Sequence, residues 1–455
     1  MTNTTNKTAM RGPALTFVND PFVVGDVAAM RYLPDALILI DNGQITAFDD
    51  YSTLKEQAAG YAIDHYPNAL ILPGYIDTHV HYPQTQVIGS YGAQLIDWLN
   101  TYTFVAEQQF ADTQHAKTVA NVFLQECLRA GTTTAAVYCT VHPQSTDAFF
   151  QAATERNMRM VAGKVLMDRN APAALTDTAQ SGYDDSEALI KKWHGKGRNL
   201  YAITPRFAPS STEAQLEAAG ALWQAYPDTW MQTHVSEDRK EIAWVKELFP
   251  ERAGYLDVYQ HYGLTGPRSL FGHAIFLDEP EWEHIAASGS GLCHCPTSNA
   301  FLGSGFFNFQ RAKHGDHAIR VGLATDVGGG TSLSMLQTMG ASYKIARFGG
   351  YSLSAAKAFY LATRGAAETL YLQDQIGSIA VGMEADLQVL NLHSTPLIDF
   401  RMQRCESLQE ALFVQMTMGD DRATQAVYIA GELAYSAPSS DDACSTGRRV
   451  MNLAT

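Results

Sequence analysis

His79 and His81 stand two residues apart at the end of an apolar run, Leu72-Pro-Gly-Tyr-Ile-Asp77. On extended backbone that spacing points both side chains to one face. Two imidazoles roughly 7 Å apart along a strand can converge on one cation. An H-x-H pair alone is a weak signal, so other donors must meet it. His234, His273 and Asp326 each end or follow another short apolar run. With His79, His81, His234 and Asp326 as ligands, the set is three imidazoles and one carboxylate. Such a set suits Zn, with Fe as the alternative, and leaves room for a water. A bound divalent cation lowers that water's pKa to about 7.

Glu237 lies three residues beyond His234, placed to carry a proton between water and substrate. Asp326 can both ligate and accept the water's proton. For His273 three roles stand open: contact to the attacking water, direct ligand, or structural histidine. Lys164 sits inside Val161-Ala-Gly-Lys-Val-Leu-Met167, several residues short of its strand's end. It is expected to be structural rather than a carbamylated bridge, so one metal per subunit is expected. Cys293-His294-Cys295 reads as core strand, because neighbouring side chains alternate faces and no second cysteine pair follows at finger spacing. The H-x-E with P-C-x-x-C pair, H-E-x-x-H, the Walker loop and G-x-S-x-G are all absent from the sequence.

These residues work together only if separate strands end at one place. Eight short β-branched or apolar runs fall at 70–79, 132–140, 158–167, 200–204, 230–234, 270–274, 291–295 and 321–325. Stretches of helical period, such as 118–130 and 212–225, separate them. Alternation of this kind implies parallel pairing, and eight repeats imply a (β/α)8 TIM-like barrel. An open doubly wound sheet would want a G-x-G-x-x-G after a strand, and none follows. Barrel chemistry sits at the carboxyl ends of the strands, where these histidines and carboxylates fall.

The chain ends read differently. Residues 36–40 and 45–48 flank Asp41-Asn42-Gly43-Gln44 as a hairpin, and 385–391 and 426–432 match them at the far end. They are expected to pair into a small β-sandwich domain built from both termini. The boundaries drawn are 1–70, 71–380 and 381–455.

Composition narrows the partners. The chain has 455 residues, 46% hydrophobic and 17% charged, with a formal charge of −15. That acidity disfavours nucleic acid, since no Lys/Arg run offers a basic groove. Six cysteines are too sparse for a disulfide framework. The polar opening lacks an export signal's apolar core, and no stretch is long enough to span a membrane. A cytoplasmic protein is expected.

Pro73-Gly-Tyr-Ile-Asp-Thr-His-Val-His81, the later single histidines, His234-x-x-Glu237 and Thr325-Asp326 together resemble the metal-dependent amidohydrolases. Gly377-Ser-Ile-Ala-Val-Gly-Met-Glu-Ala-Asp386-Leu is similar to that superfamily's return into its small β domain. H-x-x-E after the fifth strand resembles the mononuclear deaminase branch. The loops narrow it to the guanine deaminase family: His79-Val-His-Tyr-Pro-Gln84, Tyr91-Gly-x-Gln-Leu-x-x-Trp98, Val141-His-Pro-Gln-Ser145, Met167-Asp-Arg-Asn170, Thr204-Pro-Arg-Phe207, Cys295-Pro-Thr-Ser-Asn299 and Leu302-Gly-Ser-Gly305.

The resemblance implies His79, His81, His234 and Asp326 as metal ligands, Glu237 as proton shuttle and His273 beside the water. It implies substrate contacts from His81, Tyr82, Pro83, Gln84, Arg206, Phe207, His234, Glu237 and Asp326. An arginine fork or an amide suits the O6/N7 edge of guanine, and an aromatic ring suits its face. Trp98 is either core or cavity wall. The implied reaction is hydrolysis of the 2-amino group of guanine to xanthine and ammonia, hydroxide adding at C2 while Glu237 protonates N3. A homodimer is implied as well.

Overall fold

The computed structural model describes residues 7–91, 95–314 and 318–438. Gly92 to Gln94 of the loop motif before Trp98, and Cys444, lie outside them. Eight parallel strands follow one another in chain order: Tyr75–His81, Thr132–Tyr138, Arg159–Gly163, Leu200–Pro205, Trp230–Val235, Ser269–His273, Gly291–His294 and Arg320–Leu323. Nearly every residue in them is buried, as parallel strands covered on both faces require. The last strand returns to the first: Thr78 Oγ1 donates to the Leu323 carbonyl at 3.1 Å, and Asp326 N to the His79 carbonyl at 2.9 Å. The eight strands thus form a nearly closed TIM-like barrel.

Helices cover the outside, and their starts are written locally. Asp112 caps Thr113–Arg129 by accepting from His115 N. Reciprocal capping boxes open Ala179–Trp193 (Thr178 with Ser181), Arg239–Leu248 (Asp238 with Glu241) and Glu279–Ser288 (Asp278 with Glu281).

Both termini build a second, mixed sheet of eight strands. Ala69–Pro73 joins the two ends of the chain, pairing antiparallel with Leu387–Asn391 and parallel with Lys7–Phe17. The expected hairpin is present, with Met30–Asp41 against Gln44–Asp50. Asn42 and Gly43 turn it with φ of 51° and 82°, the positive pair a two-residue hairpin favours. A partly buried ionic cluster ties the sheet to the barrel: Arg159 Nε donates to Glu384 at 3.0 Å, and Arg198 pairs with Glu384 and Asp386.

The run 70–79, expected as one barrel strand, is two strands. Ala69–Pro73 belongs to the terminal sheet and Tyr75–His81 to the barrel, with Gly74 between them. A Cβ on Gly74 would lie 2.3 Å from the Thr133 side chain, so the crossing is as tight as glycine allows. Apolar residues continue through both strands, so hydropathy alone leaves no mark at the break.

Candidate metal centre and substrate cavity

The carboxyl ends of the first, fifth, sixth and eighth barrel strands bring five side chains together. His79 Nε2 stands 3.3 Å and His81 Nε2 3.5 Å from Asp326 Oδ1. His81 Nε2 is 3.2 Å from His234 Nε2. Across the second carboxylate oxygen, His273 Nε2 is 3.6 Å from Asp326 Oδ2 and 3.4 Å from Glu237 Oε2. His79, His234, His273 and Asp326 each offer a donor atom within 4.8 Å of the others, close enough to share one divalent cation. His81, expected in that set, lies directly against it, while His273 enters it from the Glu237 side. His79 Nε2 is buried without a hydrogen-bond partner. A buried imidazole nitrogen that faces a carboxylate without a formed hydrogen bond fits a ligand better than a core histidine.

Surrounding groups fix the imidazoles. His234 Nδ1 donates to the Arg206 carbonyl at 2.7 Å, leaving Nε2 as the inward donor atom. His273 Nδ1 meets Asn299 Oδ1 at 2.8 Å. Beneath them, Asp77 accepts from Thr325 N at 3.0 Å, His79 N at 3.2 Å and the Thr325 hydroxyl. A Cβ on Gly272 would lie 2.7 Å from His79 Cε1, so that glycine makes room for the imidazole. Ser236, His273, Ala274 and Asp326 all have positive φ, 49°, 68°, 50° and 48°. Left-handed backbone at non-glycine residues is sparse and concentrates at functional sites.

The electrostatics follow from burial plus these neighbours. Burial works against the Asp326 carboxylate, but His79, His273 and His234 outweigh it and hold its pKa down at about 2. Burial first, then mutual repulsion, keeps His81 and His234 well below the usual imidazole range. Neutral imidazoles and an ionised aspartate are the protonation states that a cation needs. Burial pushes the Glu237 carboxyl up to about 7, where a proton can be taken or given. Ser304 Oγ donates to its Oε1 at 3.2 Å, and Glu241 accepts from its backbone N at 3.0 Å.

A cleft of about 430 Å³, part of it open to solvent, lies over this cluster, walled by Gln84, Trp98, Leu99, Arg206, Phe207 and Leu302. Arg206 Nη1 donates to both oxygens of Glu107, at 2.9 and 2.7 Å. Gln84 Nε2 donates to Glu107 at 3.1 Å, and Gly328 N donates to Gln84 Oε1 at 3.1 Å. Phe207 is held edge-on by Trp244, ring centres 6.3 Å apart.

Two expected substrate residues fall elsewhere. Tyr82 is buried among Phe110, Phe123 and Phe149, with its hydroxyl donating to the Ser145 carbonyl at 2.7 Å. Pro83 starts the short turn Tyr82–Val87 and does not line the cavity. The turn redirects the chain so that Gln84, rather than its two predecessors, faces the cavity. Lys164 is fully buried and paired with Asp177, the structural role expected. Cys293, His294 and Cys295 are buried in the core, also as expected.

The sequence reading missed Glu107, Glu241, Asn299 and Ser304. Asn299, in the short helix Pro296–Phe301, and Ser304, in the loop after it, belong to motifs that already pointed to this site. Glu107 carried no signal, since one acid in a helical stretch reads as a solvated face.

The amidohydrolase family matches residues 70–434. The guanine deaminase of Escherichia coli K12 is 48% identical over 409 residues, covering 90% of this chain and 93% of that protein. The solved E. coli guanine deaminase superposes with a TM-score of 0.92 at 47% identity, covering 94% of this chain and 99% of that one. A guanine deaminase from C. acetobutylicum, solved with guanine in its active site, gives a TM-score of 0.84 at 29% identity, covering 94% and 100%. With that likeness running through barrel and terminal sheet alike, the chain belongs to the amidohydrolase family, among its guanine deaminases.

Proposed function

We propose that this protein hydrolyses guanine to xanthine and ammonia, the carrying observation being Glu237 and Asp326 on either side of His273 at the floor of a cavity lined by Gln84, Arg206 and Phe207. His79, His81, His234 and Asp326 would hold one divalent cation, zinc with iron as the alternative. When bound, such a cation lowers the pKa of a coordinated water and supplies hydroxide at neutral pH.

The rest falls to the chain's own side chains. Arg206 and Gln84 present N–H groups to the O6/N7 edge of guanine, and Phe207 lies against its face. The ring is thereby set with C2 toward the cluster. Glu237 takes a proton from the water side and delivers it to N3, then carries the second proton to the departing amino group. Its carboxyl, raised by burial to about 7, serves in both directions. His273, anchored by Asn299, keeps Glu237 and Asp326 aligned. The buried walls exclude bulk water and strengthen each of these contacts.

Among the described residues no helix is long and apolar enough to cross a membrane. The charge of −15 favours a small-molecule substrate over nucleic acid. A homodimer is the reading that the family resemblance supports, and sedimentation velocity tests it.

The functional test is turnover of a substrate panel: guanine, adenine, cytosine, 8-oxoguanine and ammeline. Conversion of guanine with stoichiometric ammonia, well above the others, is expected. Preference for another heterocycle would move the assignment to a sibling activity.

A further inference from the structure

We propose that Glu107 is a positioning residue that turns the purine-facing wall into hydrogen-bond donors, and so sets a preference for a 6-oxo over a 6-amino purine. The inference rests on the guanine reading above and adds a determinant of its selectivity.

Glu107 is fully buried. An irregular helix delivers it: Leu95–Trp98 passes through a π-turn at Leu99–Thr103 into Phe104–Glu107. Trp98 and Leu99 reach the cavity wall while Glu107 is tucked behind it. Extra-residue turns of this kind commonly mark functional positions.

An ionised carboxylate only accepts hydrogen bonds. Its two oxygens take Arg206 Nη1 at 2.9 and 2.7 Å, and Oε1 also takes Gln84 Nε2 at 3.1 Å. Gly328 N donates to the opposite end of the Gln84 amide at 3.1 Å. The amide is therefore fixed from both sides. A flip would set its N–H₂ against the Gly328 N–H and its carbonyl against the carboxylate. In the fixed orientation the second Nε2 hydrogen and the other guanidinium N–H groups remain for a ligand. A wall of donors can donate to O6 and N7 of guanine. A 6-amino group would bring donor against donor in a buried place, and sites built on such hydrogen bonds discriminate strongly.

Replacing the carboxylate by its amide removes that constraint. Glu107→Gln has the same shape, but its side chain can donate as well as accept, so the Gln84 amide is held from the Gly328 side alone. The test compares steady-state turnover of guanine and 2,6-diaminopurine, which carry the same 2-amino group and differ at position 6, with metal content and melting recorded for each protein.

Wild type should prefer guanine. In Glu107→Gln, kcat/KM for guanine should fall about 100-fold, mainly through KM. The loss on 2,6-diaminopurine should be smaller, narrowing the ratio at least about tenfold, with metal content unchanged. Equal losses on both purines, or an unchanged ratio, would overturn the proposal, because a merely structural role lowers both alike. Should Glu107→Gln not fold, Glu107→Asp carries the test: it keeps the charge and withdraws the acceptor by one methylene. Its ratio should narrow in the same direction, and an unchanged ratio overturns the proposal. A wild type that does not turn over guanine overturns the functional reading and this proposal with it. An active wild type with an unchanged ratio in the variant overturns only the role of Glu107.

Discussion

The backbone carbonyl of Arg206 accepts the Nδ1–H of His234 at 2.7 Å, so one residue holds an imidazole of the candidate metal cluster with its main chain and lines the cavity with its side chain. The carbonyl also accepts from His234 N and Thr233 Oγ1, both at 3.2 Å. The imidazole is thus oriented by backbone that survives any side-chain substitution at 206.

Arg206→Lys separates these functions. A lysine ammonium cannot reproduce the planar fork toward a purine edge or toward Glu107. We expect KM for guanine to rise about 100-fold while metal content stays at that of wild type. Steady-state kinetics with elemental analysis checks both, and loss of metal would contradict the backbone link.

Glu237→Gln removes a transferable proton and keeps the side chain's volume. Turnover should fall about 10³-fold, within the usual range for a general acid–base. Metal content and guanine binding, followed by elemental analysis and calorimetry, should persist. Near-normal turnover would take Glu237 out of its assigned role.

Lys164→Met tests the structural reading of the buried lysine. Its ammonium pairs with Asp177, which also accepts from Gln215 Nε2 at 2.6 Å. Breaking a buried pair from one side strands the other charge and costs about 3–5 kcal/mol, measurable by urea unfolding. Metal content should stay at one per chain. A drop in bound metal would mean that Lys164 serves the centre after all.

Acid stability has a definite sign. Burial holds the His294 imidazole down at about 3, against 6.5 when exposed, with Nε2 kept 3.0 Å from Ser342 Oγ. The unfolded chain therefore takes up a proton below 6.5 that the folded chain refuses. Stability from this group is complete above 6.5 and is lost by about 1.4 kcal/mol per pH unit on acidification toward 3. Melting temperatures of wild type and His294→Gln between about pH 7.5 and about pH 5 should converge as pH falls. Parallel curves would contradict this account.

The legibility of the sequence follows the range of the interactions. Barrel strands announce themselves through local apolar runs, and the Asn42-Gly43 turn through two residues of known backbone preference. The His79/His81 pair is legible because a strand's period of two is a local rule. What was hidden depends on contacts distant along the chain. The break at Gly74 exists because Thr133 crowds it, and the inward burial of Tyr82 depends on Phe110, Phe123 and Phe149. Glu107 is indistinguishable from a surface acid until Arg206, 99 residues later, is folded against it.

We attribute the guanine chemistry to one cation gathered by side chains from separate barrel strands. Guanine-dependent ammonia release should disappear when a chelator strips the metal and return in proportion to the divalent ion restored, reaching full rate near one ion per chain. Full turnover by protein shown to be metal-free, or no ammonia from protein carrying one ion per chain, would contradict it.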